Sequence, residues 1–577
     1  MKNLCFVCLL FTGTVSFAQQ PDLLLQTSEV HNLLVNFDAD LGSLERFYFV
    51  TNSPERRERM RTFYNDYVAK LNALPFDNMS VGGKVDFILF HRNLQSRLYL
   101  LSQEEKEVNQ LSKLITQGDA IYAAEKKRRR GEVMNWQDVA RQLNDCNKTI
   151  NAAMVKLSSG PNYTRALANR AEGIVKGQQK ALRSVFEFYD GYDPEFTWWV
   201  TKPFQKLDTT LTRYADVLKK KVDAATLPKD DGSGIIGNPI GREELLRQLQ
   251  YEMIPYSPEE LVEIANKEFA WCDAELLKAS REMGFGDDWK KAQEKVKMSF
   301  VPEGHQPEAM LKLYNESVDF LKKNDLITIP PIAEETWRMR MMSPQQQLVS
   351  PFFLGGEVLQ ISYPTDEMDH DDKLMSMRGN NPHFSRSTVH HELIAGHHLQ
   401  GFMNDRNKAY RQFYTPFWIE GWALYQEFVL WDLNFPQGPE DKIGMLFWRM
   451  HRCARIIFSL NYHLGRWTPQ QCIDFLVDRV GHERANAEGE VRRSFTGNYG
   501  PLYQLAYMIG GLQFYAMKKD LVDSGKMTYK QYHDAVMREN AMPVEMVRAI
   551  LTNQSLKKDF ISNWRFYNTG TSIKNSK

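Results

Sequence analysis

Cysteine is scarce in this chain, with six in 577 residues, and only those at 146, 272, 453 and 472 lie beyond the first eighteen positions. Their scatter lacks the paired spacing of a cysteine metal site, which excludes a zinc finger. A chain this long can build a sufficient core without disulfides, so buried thiols are expected. Net charge is missing as well: 72 basic residues balance 72 acidic ones, which leaves no electrostatic footprint for nucleic acid. The one strong basic run, Lys126-Lys127-Arg128-Arg129-Arg130, is flanked by Glu125 and Glu132 in a helix-like stretch and reads as a solvated helical face. After the N-terminus no segment is long and apolar enough to span a bilayer, so no membrane insertion of the mature chain is expected. Fixed-period repeats and low-complexity tracts are also absent.

What is present begins with a leader. Lys2 supplies a positive start, Leu4 to Val15 an apolar run, and Ser16-Phe17-Ala18 a small-x-small cleavage site before Gln19. Residues 1–18 therefore read as an export signal, and the mature chain as periplasmic or secreted. The apolar run is shorter than the ~20 residues of a bilayer-spanning helix, and neither Cys5 nor Cys8 has a good lipobox context. A hydrophobic content of 43% with 25% charged residues describes an ordinary globular protein. Its length exceeds one compact core and predicts lobes or domains.

Helix signals dominate. Ser257-Pro258-Glu259-Glu260 combines a serine cap, a first-turn proline and a glutamate at the third position. An apolar stripe follows through Leu261, Ala265, Phe269, Cys272 and Leu276 and ends near Gly284. Thr468-Pro469-Gln470-Gln471 and Thr528-Tyr529-Lys530-Gln531 repeat that capping pattern. The turn-rich stretch from Asp230 to Gly241 is the best boundary, giving an N-terminal helical lobe over 19–235 and a C-terminal lobe over 236–577. Within the latter, Leu326-Ile327-Thr328-Ile329, Trp337 to Met341 and Phe352 to Ile361 predict a small β-sheet. The expected class is mainly α, with that sheet just upstream of a histidine cluster.

Five of the thirteen histidines fall between positions 383 and 398. In His390-His391-Glu392-Leu393-Ile394-Ala395-Gly396-His397-His398, His391 and Glu392 supply a metal-binding imidazole and an adjacent base. The second imidazole is displaced. On a straight helix His397 lies ~9 Å further on and about 120° round, while His398 shares the face but is ~10.5 Å away. A bulge of two residues, with Ala395-Gly396 as its natural place, restores the approach. On its own the cluster is open between a metal site and a polar helix face.

The segment resembles the signature of the bacterial family called domain of unknown function 885, in which HE is followed by two residues, Pro-Gly-His and a glutamine three further on. That gives His391, Glu392, Gly396, His397 and Gln400, with Ala395 departing from the proline. Ile419-Glu420-Gly421-Trp422-Ala423-Leu424-Tyr425-Gln426-Glu427 is similar to the family's Glu-Gly-Trp-Ala-x-Tyr-x-Glu. Glu490-Val491-Arg492-Arg493 and Pro501 to Gly510 resemble its Glu-x-x-Arg and its Pro-Gly-Gln with Tyr-x-x-Gly, except that Leu502-Tyr503 replaces Gly-Gln. The likeness runs from about Gly241 to the C-terminus and is faint before it.

This resemblance implies a relationship to zinc metallopeptidases of the thimet oligopeptidase and carboxypeptidase Taq kind, two-lobed helical bodies around a deep cleft. It implies Zn2+ on His391, His397 and Glu420, with Glu427 in support and Glu392 as general base. Tyr507, Arg493 and His463 are candidates for stabilising an oxyanion. His390, His398 and His383 have supporting or solvent-facing roles open to them. The expected activity is hydrolysis of short peptides, with the strand near Phe352 to Ile361 pairing to substrate backbone. Two rivals are a non-catalytic metal- or peptide-binding exported protein and a zinc amidohydrolase acting on a cell-wall amide.

Overall fold

The computed structural model describes residues 28–568, apart from 116–117, 159, 227–228, 350–351, 353 and 498. The leader expected over 1–18, with Cys5 and Cys8, lies outside the described residues. The molecule is mainly α, and its strands among the described residues are one parallel pair, Arg338–Met341 and Val358–Ile361. No helix among the described residues is long and apolar enough to cross a membrane.

The capping signals act as their chemistry requires. Ser257, Thr468 and Thr528 each form a reciprocal capping box with Glu260, Gln471 and Gln531. Such boxes satisfy two of the amide donors that a helix start leaves without intrahelical acceptors. The first of them opens the helix Pro258–Glu282, whose Leu261, Ala265, Phe269, Cys272 and Leu276 are buried. The basic run lies in the helix Asp119–Arg130, yet it is not wholly solvated. Arg129 bonds to Glu55 at 2.6 Å and pairs with Glu125 at 3.0 Å. Cys146, Cys272, Cys453 and Cys472 are buried and form no disulfide.

The expected sheet is smaller than its sequence texture. Leu326 to Ile329 forms no strand, because side chains take the bonds that a neighbouring strand would need. His533 Nδ1 donates to the Leu326 carbonyl at 2.8 Å, and Asp534 accepts from the Thr328 amide at 2.9 Å. Pro330 and Pro331, which have no amide hydrogen, then end any ladder. Of the third segment only Val358–Ile361 is a strand. Gly355 and Gly356 fold Leu354 back to exchange backbone bonds with Gln360.

Three large cores organise the helices, beside a small cluster of Leu430, Phe435 and Met445. One joins His31–Phe47, Pro54–Asn72 and Val81–Gln110 to Val389, Leu393, Trp418 and Trp422 of the C-terminal half. A second lies between Pro258–Glu282 and Pro439–His463. The third gathers the helices between Asp119 and Lys220. Arg411 seals the first. Its guanidinium meets Asp86 at 2.7 Å and Glu539 at 2.6 Å, with Asp86 and Arg411 both fully enclosed. These shared contacts fix the floor on which the histidine cluster stands.

Candidate metal centre

The helix Pro382–Glu392 starts from an Asn381 cap and ends immediately after His391. A second helix, His397–Asn404, starts at the other histidine. Between them Leu393 to Gly396 leaves helical geometry, with a cis Ile394–Ala395 peptide inside it. The interruption is thus wider than a two-residue bulge: one helix stops and another begins. Gly396 permits it, since a Cβ there would collide with the carbonyl oxygens of His391 and His390. Trp422 Nε1 donates to the Ala395 carbonyl at 2.8 Å, so the Glu-Gly-Trp segment clamps the break that sets the histidine spacing.

The helix Pro416–Asp432 carries Glu420 and Glu427, both buried. Gly421 lies against Gly510 of the helix Tyr503–Lys518, and a Cβ on either would strike the other's backbone. Two glycines thereby let the helices approach closely, bringing Tyr503 and Tyr507 beside Glu420. Tyr503, the residue that departs from the resembled pattern, donates its hydroxyl to Glu420 Oε1. Burial raises the pKa of both phenols, and the Glu420 charge adds to it. They stay protonated donors.

Both imidazoles are oriented from behind. His391 Nδ1 lies 2.8 Å from Glu427 Oε1, and His397 Nδ1 lies 3.0 Å from Gln400 Oε1. These oxygens only accept, so each Nδ1 must carry the proton. In a neutral ring the lone pair is then on Nε2. His391 Nε2 and His397 Nε2 stand 3.4 and 3.2 Å from one atom, Glu420 Oε2. Two lone pairs and a carboxylate oxygen facing one another repel unless a proton or a cation lies between. Without a metal a proton serves: burial pushes the His397 imidazole down, but the Glu420 carboxylate outweighs it and lifts the pKa to about 9. Glu420 is itself raised by burial, yet held well below the usual carboxylate range by His397 and His391.

This donor set fits a zinc ion, which favours two imidazoles and a carboxylate with one position left open. Glu392 also brings an oxygen within 4.8 Å of the two imidazole ligand atoms. Glu420 is nearer to both, at 3.4 and 3.2 Å, and could supply the third ligand, with the Glu392 carboxylate then free to accept a proton. Burial raises the Glu392 pKa against the pull of His397 and His391.

The centre opens on a cleft of about 470 Å³ bordered by Gly355, Glu392, Trp448, Arg452, Arg493 and Tyr507. Tyr499 and Tyr503 join it to a second cavity of about 570 Å³. Gly355 packs so closely on Glu392 that a Cβ would displace the carboxylate. Arg493 lies 3.2 Å from Glu490, which also takes a 2.7 Å bond from Arg455. His463 is not brought to the site. It lines neither of these cavities and packs instead between Tyr462 and Phe495, where burial drops its pKa to about 4. His398 bonds to the Ala333 carbonyl at 2.6 Å, and His383 lies 2.6 Å from Asp441. His390 is wholly buried beside the site.

Arg452, Arg455 and Tyr503 were not foreseen from the sequence. Arg452 and Arg455 sit in a helix that is buried almost all round. Charged residues in such a helix are rarely buried without a partner or a role, a signal legible from Ile443 to Leu460.

Among curated proteins none gives a significant match. Solved structures that share the fold include two candidate lipoproteins. A candidate lipoprotein of unknown function from Shewanella oneidensis has a TM-score of 0.65 at 16% identity, with 91% of this chain and 100% of that one covered. A candidate lipoprotein from Colwellia psychrerythraea has a TM-score of 0.56 at 15% identity, covering 91% and 98%. The family described as "Bacterial protein of unknown function (DUF885)" matches residues 47–551. The match begins far ahead of Gly241, so the likeness takes in most of the N-terminal helices too. The chain belongs to this DUF885 family of bacterial proteins.

Proposed function

We propose that the protein is an exported zinc-dependent hydrolase that cleaves peptide bonds of short peptides, a relative of the thimet oligopeptidase and carboxypeptidase Taq type of metallopeptidase. The observation that carries this reading is the convergence of His391 Nε2 and His397 Nε2 on Glu420 Oε2, at 3.4 and 3.2 Å, beside the buried carboxylate of Glu392. His391, His397 and Glu420 would hold the ion. Zinc bound there supplies Lewis acidity, which polarises a carbonyl and makes water more acidic.

The chain's own residues do the rest. Glu392 takes one proton from the attacking water and delivers it to the leaving amine as the C–N bond breaks. A base near neutral pH works best when its pKa approaches the operating pH, and burial moves Glu392 in that direction. Tyr507 donates its hydroxyl toward the oxyanion, and Arg493 adds positive charge to the same wall. Glu427 and Gln400 hold the imidazoles in their tautomers. Gln360 borders the cleft; its backbone groups are taken by Leu354 and its Oε1 by Arg340, which leaves the side-chain Nε2 to donate to a substrate carbonyl.

Glu392→Gln keeps the shape and removes the base. With zinc loaded, the variant should lose at least about a hundredfold in kcat on a peptide library while retaining its metal. Wild-type turnover by the variant refutes the assignment.

A further inference from the structure

The wall of the cleft beyond Tyr507 carries more positive charge than it neutralises. Arg452, Arg455 and Arg493 line it together. Glu490 serves Arg455 at 2.7 Å and Arg493 at 3.2 Å. Arg452 is left with Glu427, whose Oε1 is 4.0 Å from Nη2 and is already engaged by His391 Nδ1 at 2.8 Å. Arg452 Nε has no hydrogen-bond partner among the described residues, and neither does Arg455 Nη1. Both side chains are more than nine-tenths buried. The Arg452 guanidinium lies over Trp448 at 5.1 Å and over Tyr507 at 4.7 Å; that of Arg455 lies 4.3 Å from the same Tyr507 ring.

A guanidinium taken out of water without an anion is costly to keep charged. Its planar fork matches a carboxylate through two parallel bonds. We infer that Arg452, with Arg455 beside it, receives a carboxylate of the substrate, and that this carboxylate is the C-terminal one. The inference rests on the peptidase reading above and adds the substrate class to it. Position is the reason for choosing the terminus. Tyr507 stacks on His391 at 6.0 Å between ring centres, and the guanidiniums of Arg452 and Arg455 lie over the same ring. The anion site is therefore one aromatic ring away from the metal-binding imidazole. A residue spans roughly 3.5 Å of extended chain, so an anchored C-terminus presents a bond near that end to Glu392. Water adds to that carbonyl carbon, the amine leaves with the proton Glu392 has taken, and the peptide shortens from its C-terminus.

The test uses the full-length zinc-loaded protein with one peptide as its free C-terminal acid and as its C-terminal amide, and with a third peptide, an amide whose last residue is replaced by glutamate. Mass spectrometry follows the products, and calorimetry measures binding of N-acetylalanine against N-acetylalaninamide. The free acid should be cut at least a hundredfold faster than the plain amide, with fragments lost from the C-terminal end. N-acetylalanine should bind at least tenfold tighter than its amide. Arg452→Gln should abolish both preferences and Arg452→Lys should restore part of them, with thermal melting used to confirm that each variant folds. If the glutamate-ended amide is cut like the free acid, the carboxylate site stands and its occupant is a side chain. Equal cutting of acid and amide, with equal binding, overturns the site while leaving the hydrolase reading intact. Acid-selective binding that depends on Arg452, without cleavage of any peptide, retains the site and removes the hydrolase.

Discussion

Glu427 illustrates how much of the centre is set one residue behind the donors. Its carboxylate accepts a hydrogen bond from His391 Nδ1 at 2.8 Å, which fixes both the tautomer and the plane in which the ring turns Nε2 toward Glu420. Glu427→Gln preserves shape but offers an amide that can present either its oxygen or its NH2 group. Zinc affinity should fall by about 10- to 100-fold in a competition titration with a chelator, with thermal stability of the metal-free protein little changed. Unaltered affinity would remove Glu427 from its supporting role. This residue was legible from the sequence as the glutamate that closes the resembled Glu-Gly-Trp-Ala-x-Tyr-x-Glu segment. Arg452 stands out in the sequence only as a charge within an apolar helix, because its meaning depends on which carboxylates lie nearby: Glu427, on another helix, lies 4.0 Å from it, while Glu490 is taken by Arg455 and Arg493.

The same division holds for the elements. Helix starts are local, and Ser257, Thr468 and Thr528 announce them within four residues. The break between Glu392 and His397 was also legible, since Gly396 marks a place where backbone must approach backbone. Leu326 to Ile329 misled because β-branched texture reports a preference for extended backbone, whereas strand formation depends on a partner. Here His533 and Asp534 took that place. Least legible was the crossing of Pro416–Asp432 with Tyr503–Lys518, since Gly421 and Gly510 lie in separate motifs and meet only in three dimensions. Gly421→Ala tests that crossing. Helix propensity gains about 1 kcal/mol, but a methyl forced against the Gly510 backbone costs about 1–3 kcal/mol. Net destabilisation in denaturant unfolding is expected, together with weaker zinc binding because Glu420 shifts with its helix. A variant more stable than wild type with unchanged metal affinity would contradict the close approach.

At the scale of the whole molecule, buried histidines couple folding to pH. Burial lowers the pKa of His390, His482 and His533 to about 3 in each case. Unfolded, each returns to about 6.5. The unfolded chain therefore binds more protons between these values, and the stability present above pH 6.5 is lost as the pH falls toward 3. The loss is about 1.4 kcal/mol per pH unit for each histidine. His397 acts in the opposite sense in the zinc-free protein. Its pKa of about 9 gives a contribution that is complete below about pH 6.5 and disappears as the pH rises through 9. Zinc competes for the same nitrogen, so metal binding should release a proton between those limits. Urea unfolding from pH 3 to 9, with and without zinc, should show acid instability in both forms and the alkaline loss in the zinc-free form alone. A stability that is flat from pH 6.5 to 4 would contradict the buried neutral histidines.

The central claim is that two imidazoles six positions apart share one cation with Glu420. Metal analysis of the purified protein beside His397→Ala tests it most directly. One zinc per wild-type chain and its near-complete loss in the variant are the predicted result. Full stoichiometric zinc retained by His397→Ala would contradict the account.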